Sequence, residues 1–253
     1  GEMEEELQKE GKPLSEAILE AAKEFAIECA LLKVAGSETL DYVADEGVQI
    51  LGGYGFSADF PMDRSYRDSR INRIFEGTNE INRMLILDMF LKRGMKGEID
   101  LMGPAMAVQK ELMGIPEFGN EEVTLLSEEI KAIKNMKKAV LMTAGAAAQK
   151  FQQKIAFEQE LLMNLADMII ELYMAESGLL RVQKKMDLQG EASCKENVDM
   201  VKVYVYDAMD RINKSGKDAI NSFAEGDEQR MMLLGLKRFT KIAPFNTKDA
   251  RRR

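Results

Sequence analysis

Residues Val48 to Arg83 read VQILGGYGFSADFPMDRSYRDSRINRIFEGTNEINR. The stretch holds four glycines, the pairs Asp63-Arg64 and Arg67-Asp68, and the run Glu76-Gly77-Thr78-Asn79-Glu80. Neither a helical nor a strand period explains that content. Gly52, Gly53 and Gly55 permit positive φ or a close backbone approach. Thr78 has the side chain of a helix N-cap, and the helix it opens presents free N–H groups and a dipole that suit an anion such as a pyrophosphate. Glu76 stands just outside that helix between Phe75 and Gly77, where an apolar ligand could strip water from it.

Outward from this segment the chain reads as all-α. Only five prolines occur in 253 residues. Between Pro116 and Pro244 the composition is Ala, Leu, Met, Lys and Glu, strong helix formers throughout. Apolar stripes recur at helical steps: Leu161, Leu162, Leu165, Met168, Ile169, Leu172 and Tyr173 form one, and Val198, Val201, Val205 and Met209 another. The spacing predicts a helix from Ser15 to Val34 stopped by Gly36, then one capped by Ser37 and reaching Leu51. An irregular segment over 52–63 and a short helix over 64–70 follow. Thr78 opens a helix to about Lys92, ahead of Gly94. Helices are expected over 121–155, 157–187, 196–222 and 227–239, with breaks near Gly190 and Gly226. Composition divides the chain into 1–95, a linker over 96–119 marked by Gly103-Pro104 and Gly114-Ile115-Pro116, and 120–253.

Composition narrows the chemistry. There is no histidine, so imidazole nucleophile activation, HExxH metal sites and imidazole proton shuttles are excluded. Acid-base work falls to carboxylates, lysines or tyrosines. Cys29 and Cys194 form no CxxC, and two free thiols fit a reducing, cytoplasmic setting. A net charge of −8 argues against nucleic-acid binding. No apolar run approaches the ~20 residues of a spanning helix, and no metal site is expected. Glu16, Glu20, Glu24 and Glu28 read as a solvent face, and Lys131, Lys134, Lys137 and Lys138 likewise. The 18 methionines read as core. Arg67 and Asp68 read as an ion pair holding the irregular segment.

Taken whole, the stretch resembles the acyl-CoA dehydrogenase family. The likeness rests on Gln49-Ile50-Leu51-Gly52-Gly53-Tyr54-Gly55, on Pro61 and Arg64, on Tyr66-Arg67-Asp68-Ser69-Arg70-Ile71, and on Ile74-Phe75-Glu76-Gly77-Thr78-Asn79-Glu80-Ile81. Residues from 95 onward more loosely resemble the helical extension of the very-long-chain branch. The resemblance implies an all-α helical bundle, the last part of that enzyme's C-terminal domain, followed by a further helical extension. It implies FAD-dependent α,β-dehydrogenation of a fatty acyl-CoA, a reaction of fatty acid β-oxidation, in a homo-oligomer that passes electrons to an electron-transfer flavoprotein.

The same resemblance places the catalytic base at Glu76 and substrate contact at Gly77. It places flavin contacts at Thr78, Asn79 and Glu80, and further contacts, across a subunit interface, at Gln49, Ile50, Leu51, Gly52 and Gly53. It also implies that the N-terminal helical and middle β domains, with much of the flavin and CoA contact, are absent here. The competing expectation is a non-catalytic interaction module whose extension docks on a partner or a membrane surface. Against the membrane stands the acidic balance, which anionic lipid repels.

A flavin site that absent segments must complete gains little affinity while still bearing the cost of ordering its loops. The 253-residue chain is therefore expected to be colourless and inactive toward acyl-CoA. An FAD titration followed by absorbance should show no saturable, stoichiometric binding and no perturbed flavin spectrum.

Overall fold

A computed structural model describes residues 1–114 and 124–253, and every described element is helical. The chain forms two compact units, Gly1–Phe90 and Leu91–Arg253. The first contains α1 (Glu2–Lys9), α2 (Leu14–Glu24), α3 (Ala26–Leu51), the single turn α4 (Gly53–Phe56), α5 (Met62–Ile71) and most of α6 (Asn79–Met95). The second contains α7 (Met102–Met113), α8 (Ser127–Phe151), α9 (Gln159–Gln189), α10 (Lys195–Phe223), α11 (Gly226–Phe239) and α12 (Thr247–Arg252).

The first unit is organised on α3, which packs against α4 and α5. The expected break at Gly36 is not there: α3 runs unbroken through Gly36 and Ser37, and the chain breaks instead at Phe25, with φ −91° and ψ 16°. A glycine inside a helix costs only about 1 kcal/mol, and packing overrides it. Ser37 is no cap, because it is buried and its hydroxyl lies 3.0 Å from the Val34 carbonyl. Thr78 does cap α6, its Oγ1 accepting from the Ile81 N–H at 3.3 Å. The helix α6 passes Gly94 and continues to Met95. The helix α1 had no counterpart in the sequence reading.

Residues 102–113, read as linker, form α7. Gly103-Pro104 marks the start of that helix, where a missing N–H is harmless. Asp100 Oδ1 accepts from the Gly103 N–H at 2.9 Å, as a capping side chain does. The expected helix start near 121, with Pro116, lies outside the described residues. The helix α8 ends at Phe151 and a 3₁₀ stretch, Gln152–Phe157, leads to α9.

The core of the second unit is the packing of α9 on α10. Leu165 and Met168 on α9 and Val205, Met209 and Ile212 on α10 are all completely buried. Gly216 on α10 permits close packing: an added Cβ would lie 2.8 Å from Leu236 and 3.3 Å from Met168. Met136, Met168 and Met209 are fully buried, whereas Met102 and Met200 are exposed. Two ion pairs, Arg251 to Asp207 at 2.8 Å and Arg253 to Asp199 at 2.9 Å, hold the C-terminal turn on α10. Among the described residues both cysteines are free, no group of ligands could hold a metal, and no helix is long and apolar enough to cross a membrane.

One carboxylate in this unit is badly placed. Glu129 on α8 is buried, and its Oε2 has no hydrogen-bond partner among the described residues. Burial pushes its pKa above the ordinary carboxylate value, opposed by its own backbone N–H and by Lys202. A carboxyl raised in the folded state contributes stability below its unfolded pKa of about 4.3, and loses it as pH rises through the folded value. Glu129→Gln is therefore expected to raise the unfolding temperature at pH 7.5 by about 2–4 °C, the scale of roughly 1 kcal/mol in a chain this long. The difference should vanish near pH 4 in thermal scans followed by circular dichroism.

Candidate functional site

The residues singled out in the sequence fall in two places on the first unit. Glu76, Gly77 and Thr78 form the turn that leads into α6, and Asn79 and Glu80 begin that helix. Gln49, Ile50, Leu51, Gly52 and Gly53 form the C-terminal end of α3 and the step into α4. Asn79 bonds to Ser37 of α3, and from Ser37 to Leu51 is about 21 Å of helix at ~1.5 Å per residue. The two groups are thus held apart by the length of α3.

The turn has an unusual backbone. Glu76 has φ +57° and Gly77 has φ +77°. A non-glycine residue in this left-handed region carries roughly 1–2 kcal/mol of strain, so other contacts must hold it. Asn79 N–H donates to the Arg73 carbonyl at 3.1 Å and closes the loop. The Gly77 carbonyl accepts from Lys33 Nζ at 2.7 Å and from Asn82 Nδ2 at 2.9 Å. Arg73 reaches Asp41 of α3 at 3.1 Å. That pair, and not Arg67 with Asp68, ties this stretch to α3: among the described residues those two side chains are exposed and not bridged to each other.

Asn79 is the hub. It is 2% exposed, and its carboxamide is fully engaged within the chain. Its Oδ1 accepts from Lys33 Nζ at 2.8 Å and faces the Ser37 hydroxyl at 3.1 Å. Its Nδ2 donates to Ser37 Oγ at 2.9 Å and to Glu38 Oε1 at 3.1 Å. Glu38 in turn receives both terminal nitrogens of Arg83, at 2.8 and 3.1 Å. None of Lys33, Ser37, Glu38, Asp41 or Arg83 was found from the sequence as part of this arrangement. The available signal was Lys33, Ser37 and Asp41 at four-residue steps, polar positions along one side of a largely apolar helix.

Glu76 itself is exposed, and its carboxylate has no partner among the described residues. Phe75 and Ile74 beside it are about half exposed, at 48% and 50%. A ligand laid over them would strip water from Glu76. Glu80 differs: its carboxyl is held below the usual range first by its own backbone N–H, then by the Thr78 hydroxyl, with Arg83 and Lys33 adding positive charge. The head of α6 already carries an anion, and a phosphate there would meet like charge. An ionised carboxylate accepts hydrogen bonds only, so Glu80 suits the hydroxyls of a polyol better. At the other place Gly52 has φ +59°, and an added Cβ on Gly52 or Gly53 would meet nothing within 4 Å. The backbone there is bare to its surroundings, open to a flat group.

Two family models, each described as acyl-CoA dehydrogenase, C-terminal domain, match residues 14–91 and 135–238. A probable acyl-CoA dehydrogenase of Bacillus subtilis is 44% identical over 245 residues, which is 96% of this chain and 40% of that protein. The very long-chain specific acyl-CoA dehydrogenase of rat mitochondria is 32% identical over 185 residues, 65% of this chain and 28% of that one. A crystal structure of an acyl-CoA dehydrogenase complexed with FAD, from Bacillus anthracis, superposes with a TM-score of 0.88 at 43% identity, over 93% of this chain and 40% of its own. The chain thus spans about two-fifths of the length of these bacterial relatives.

Gly77 is the residue in the turn least able to accept a side chain. An added Cβ would lie 3.1 Å from Asn82 Nδ2, at a φ that L residues avoid. Gly77→Ala is expected to destabilise the first unit by about 1–2 kcal/mol, read as a lower urea midpoint with an unchanged slope.

Proposed function

The chain belongs to the acyl-CoA dehydrogenase family, and from that premise we propose that it furnishes the catalytic carboxylate of an FAD-dependent α,β-dehydrogenation of fatty acyl-CoA in the intact protein. The observation that carries this reading is the state of Glu76. It is an exposed carboxylate without a partner among the described residues, held in the left-handed region by a turn anchored to α3. Strain of this kind persists where the surrounding structure over-determines it.

Glu76 takes the α-proton of the acyl chain. Such a proton is only weakly acidic, so the base must be freed of water at the moment of transfer; an acyl chain laid over Phe75 and Ile74 does that. Gly77 lets the backbone pass the thioester without a side chain in the way. Bound FAD supplies the acceptor for the β-hydride. The chain's residues fit that cofactor in two ways. The bare backbone of Gly52 and Gly53, next to the exposed Gln49, Ile50 and Leu51 at the end of α3, admits a flat aromatic group, and Thr78 and Glu80 offer oxygens to ribityl hydroxyls. Asn79 supports them from beneath, its own carboxamide being engaged internally. The separation of the two groups along α3 favours contacts with two different flavins, as in a homo-oligomer. The partners we infer are a fatty acyl-CoA, further copies of the same chain and an electron-transfer flavoprotein.

Glu76→Gln in the intact protein keeps the shape and removes the basic lone pair. Turnover should fall by roughly 10²–10⁴, the usual worth of a positioned general base, while FAD content is retained. Near-normal dehydrogenation by this variant would remove Glu76 from the role.

A further inference from the structure

We propose that Lys33 is a positioning residue for Glu76, holding the base in its working conformation through the Gly77 carbonyl; this rests on Glu76 being the base. Lys33 Nζ bonds at once to the Gly77 carbonyl, at 2.7 Å, and to Asn79 Oδ1, at 2.8 Å. It therefore spans the two sides of Thr78 and fastens both to α3. The other bond to the Gly77 carbonyl comes from Asn82, which belongs to the first turn of α6 and moves with it. The bond from Lys33 comes from a different helix and fixes the turn relative to the body of the unit.

The consequence for Glu76 follows from its backbone. At φ +57° the residue is strained, and the adjoining Gly77 gives no side-chain resistance to rotation. With the Gly77 carbonyl released from α3, Gly77 can rotate and Glu76 can relax toward negative φ, as L residues prefer. That relaxation swings the carboxylate away from where the turn now presents it. A displacement of ~1 Å between reacting groups is enough to cost about 10²-fold. Lys33 is half-buried, and its ammonium is engaged by two oxygens and accompanied by the Glu38–Arg83 pair. Its charge-assisted bonds are of the strong kind. An arginine is long enough to donate to the same carbonyl, whereas a methionine of similar volume keeps the packing and loses the bonds.

The experiment compares Lys33→Met, Lys33→Arg and Lys33→Gln in the intact, FAD-loaded enzyme, with a saturated fatty acyl-CoA as substrate. Lys33→Met and Lys33→Gln should lower kcat about 10–100-fold, with KM within about twofold of the parent and FAD bound one per chain. Lys33→Arg should return kcat to within about threefold. A kcat unchanged in Lys33→Met or Lys33→Gln would overturn the inference. So would loss of FAD and a rise in KM in step with kcat, or an arginine variant as slow as the methionine one. Should Lys33→Met fail to fold, the contrast between Lys33→Gln and Lys33→Arg decides by the same criteria. Glu76→Gln run alongside separates the two levels: if it turns over normally, the assignment of the base fails, and if it is inactive while Lys33→Met is normal, only the role of Lys33 fails.

Discussion

A buried carboxamide governs the first unit. Asn79 has almost no contact with solvent, and a buried amide without partners costs several kcal/mol. Its needs can be met only if Lys33, Ser37 and Glu38 of α3 stand opposite the first residue of α6. One polar residue thus sets the register between two helices, and with it the position of the turn before α6. Arg83 on Glu38 and Arg73 on Asp41 reinforce the same contact and carry it on toward the C-terminal part of α3. The strained backbone of Glu76 is tolerable because the turn is fastened to α3 from outside, the Gly77 carbonyl directly by Lys33.

The second unit is built on different physics. Its centre is apolar, with Leu165 and Met168 of α9 and Val205, Met209 and Ile212 of α10 closed to water. Polar contacts lie toward its outside, as in the group of Glu171 with Tyr204 and Arg211, where the Arg211 Nε meets Glu171 at 2.6 Å. Burial and the neighbouring carboxylate push the Tyr204 hydroxyl well above its ordinary pKa. An apolar interface tolerates small slips of packing, whereas a hydrogen-bonded one such as that around Asn79 admits a single arrangement. The unit with the candidate site is the one whose geometry is set by directional bonds.

The Glu80 carboxylate shows how a local rule and its tertiary setting can part. A helix N-terminus attracts anions, and the sequence placed an open one at Thr78. The chain itself provides the anion, since Glu80 folds back over its own N–H and the Thr78 hydroxyl. What remains is a cluster of oxygen acceptors beside an exposed base, and this changes the ligand groups the site would welcome from phosphates to hydroxyls.

The sequence by itself determined the class of the fold and the segment that bears chemistry. Helical spacing marked the buried stripe of α10 and, on α9, Leu161, Leu162, Leu165 and Met168, whereas Ile169, Leu172 and Tyr173 of the same stripe are only partly covered. Thr78 declared its cap, and the run from Glu76 to Glu80 stood out because periodicity could not absorb it. The sequence could not tell that Gly36 would be carried inside a helix, that Gly103-Pro104 would begin one, or that Ser37 would turn inward to Asn79. The fates of Gly36 and Ser37 depend on what lies across the chain, 42 residues away in the case of Ser37 and Asn79, while the start at Gly103-Pro104 rests on the local cap from Asp100. Only the tertiary structure decided that Glu76 would be held at positive φ with its carboxylate exposed, since that conformation is unfavourable locally and exists because Lys33, Asn79 and Arg73 hold the turn from outside it.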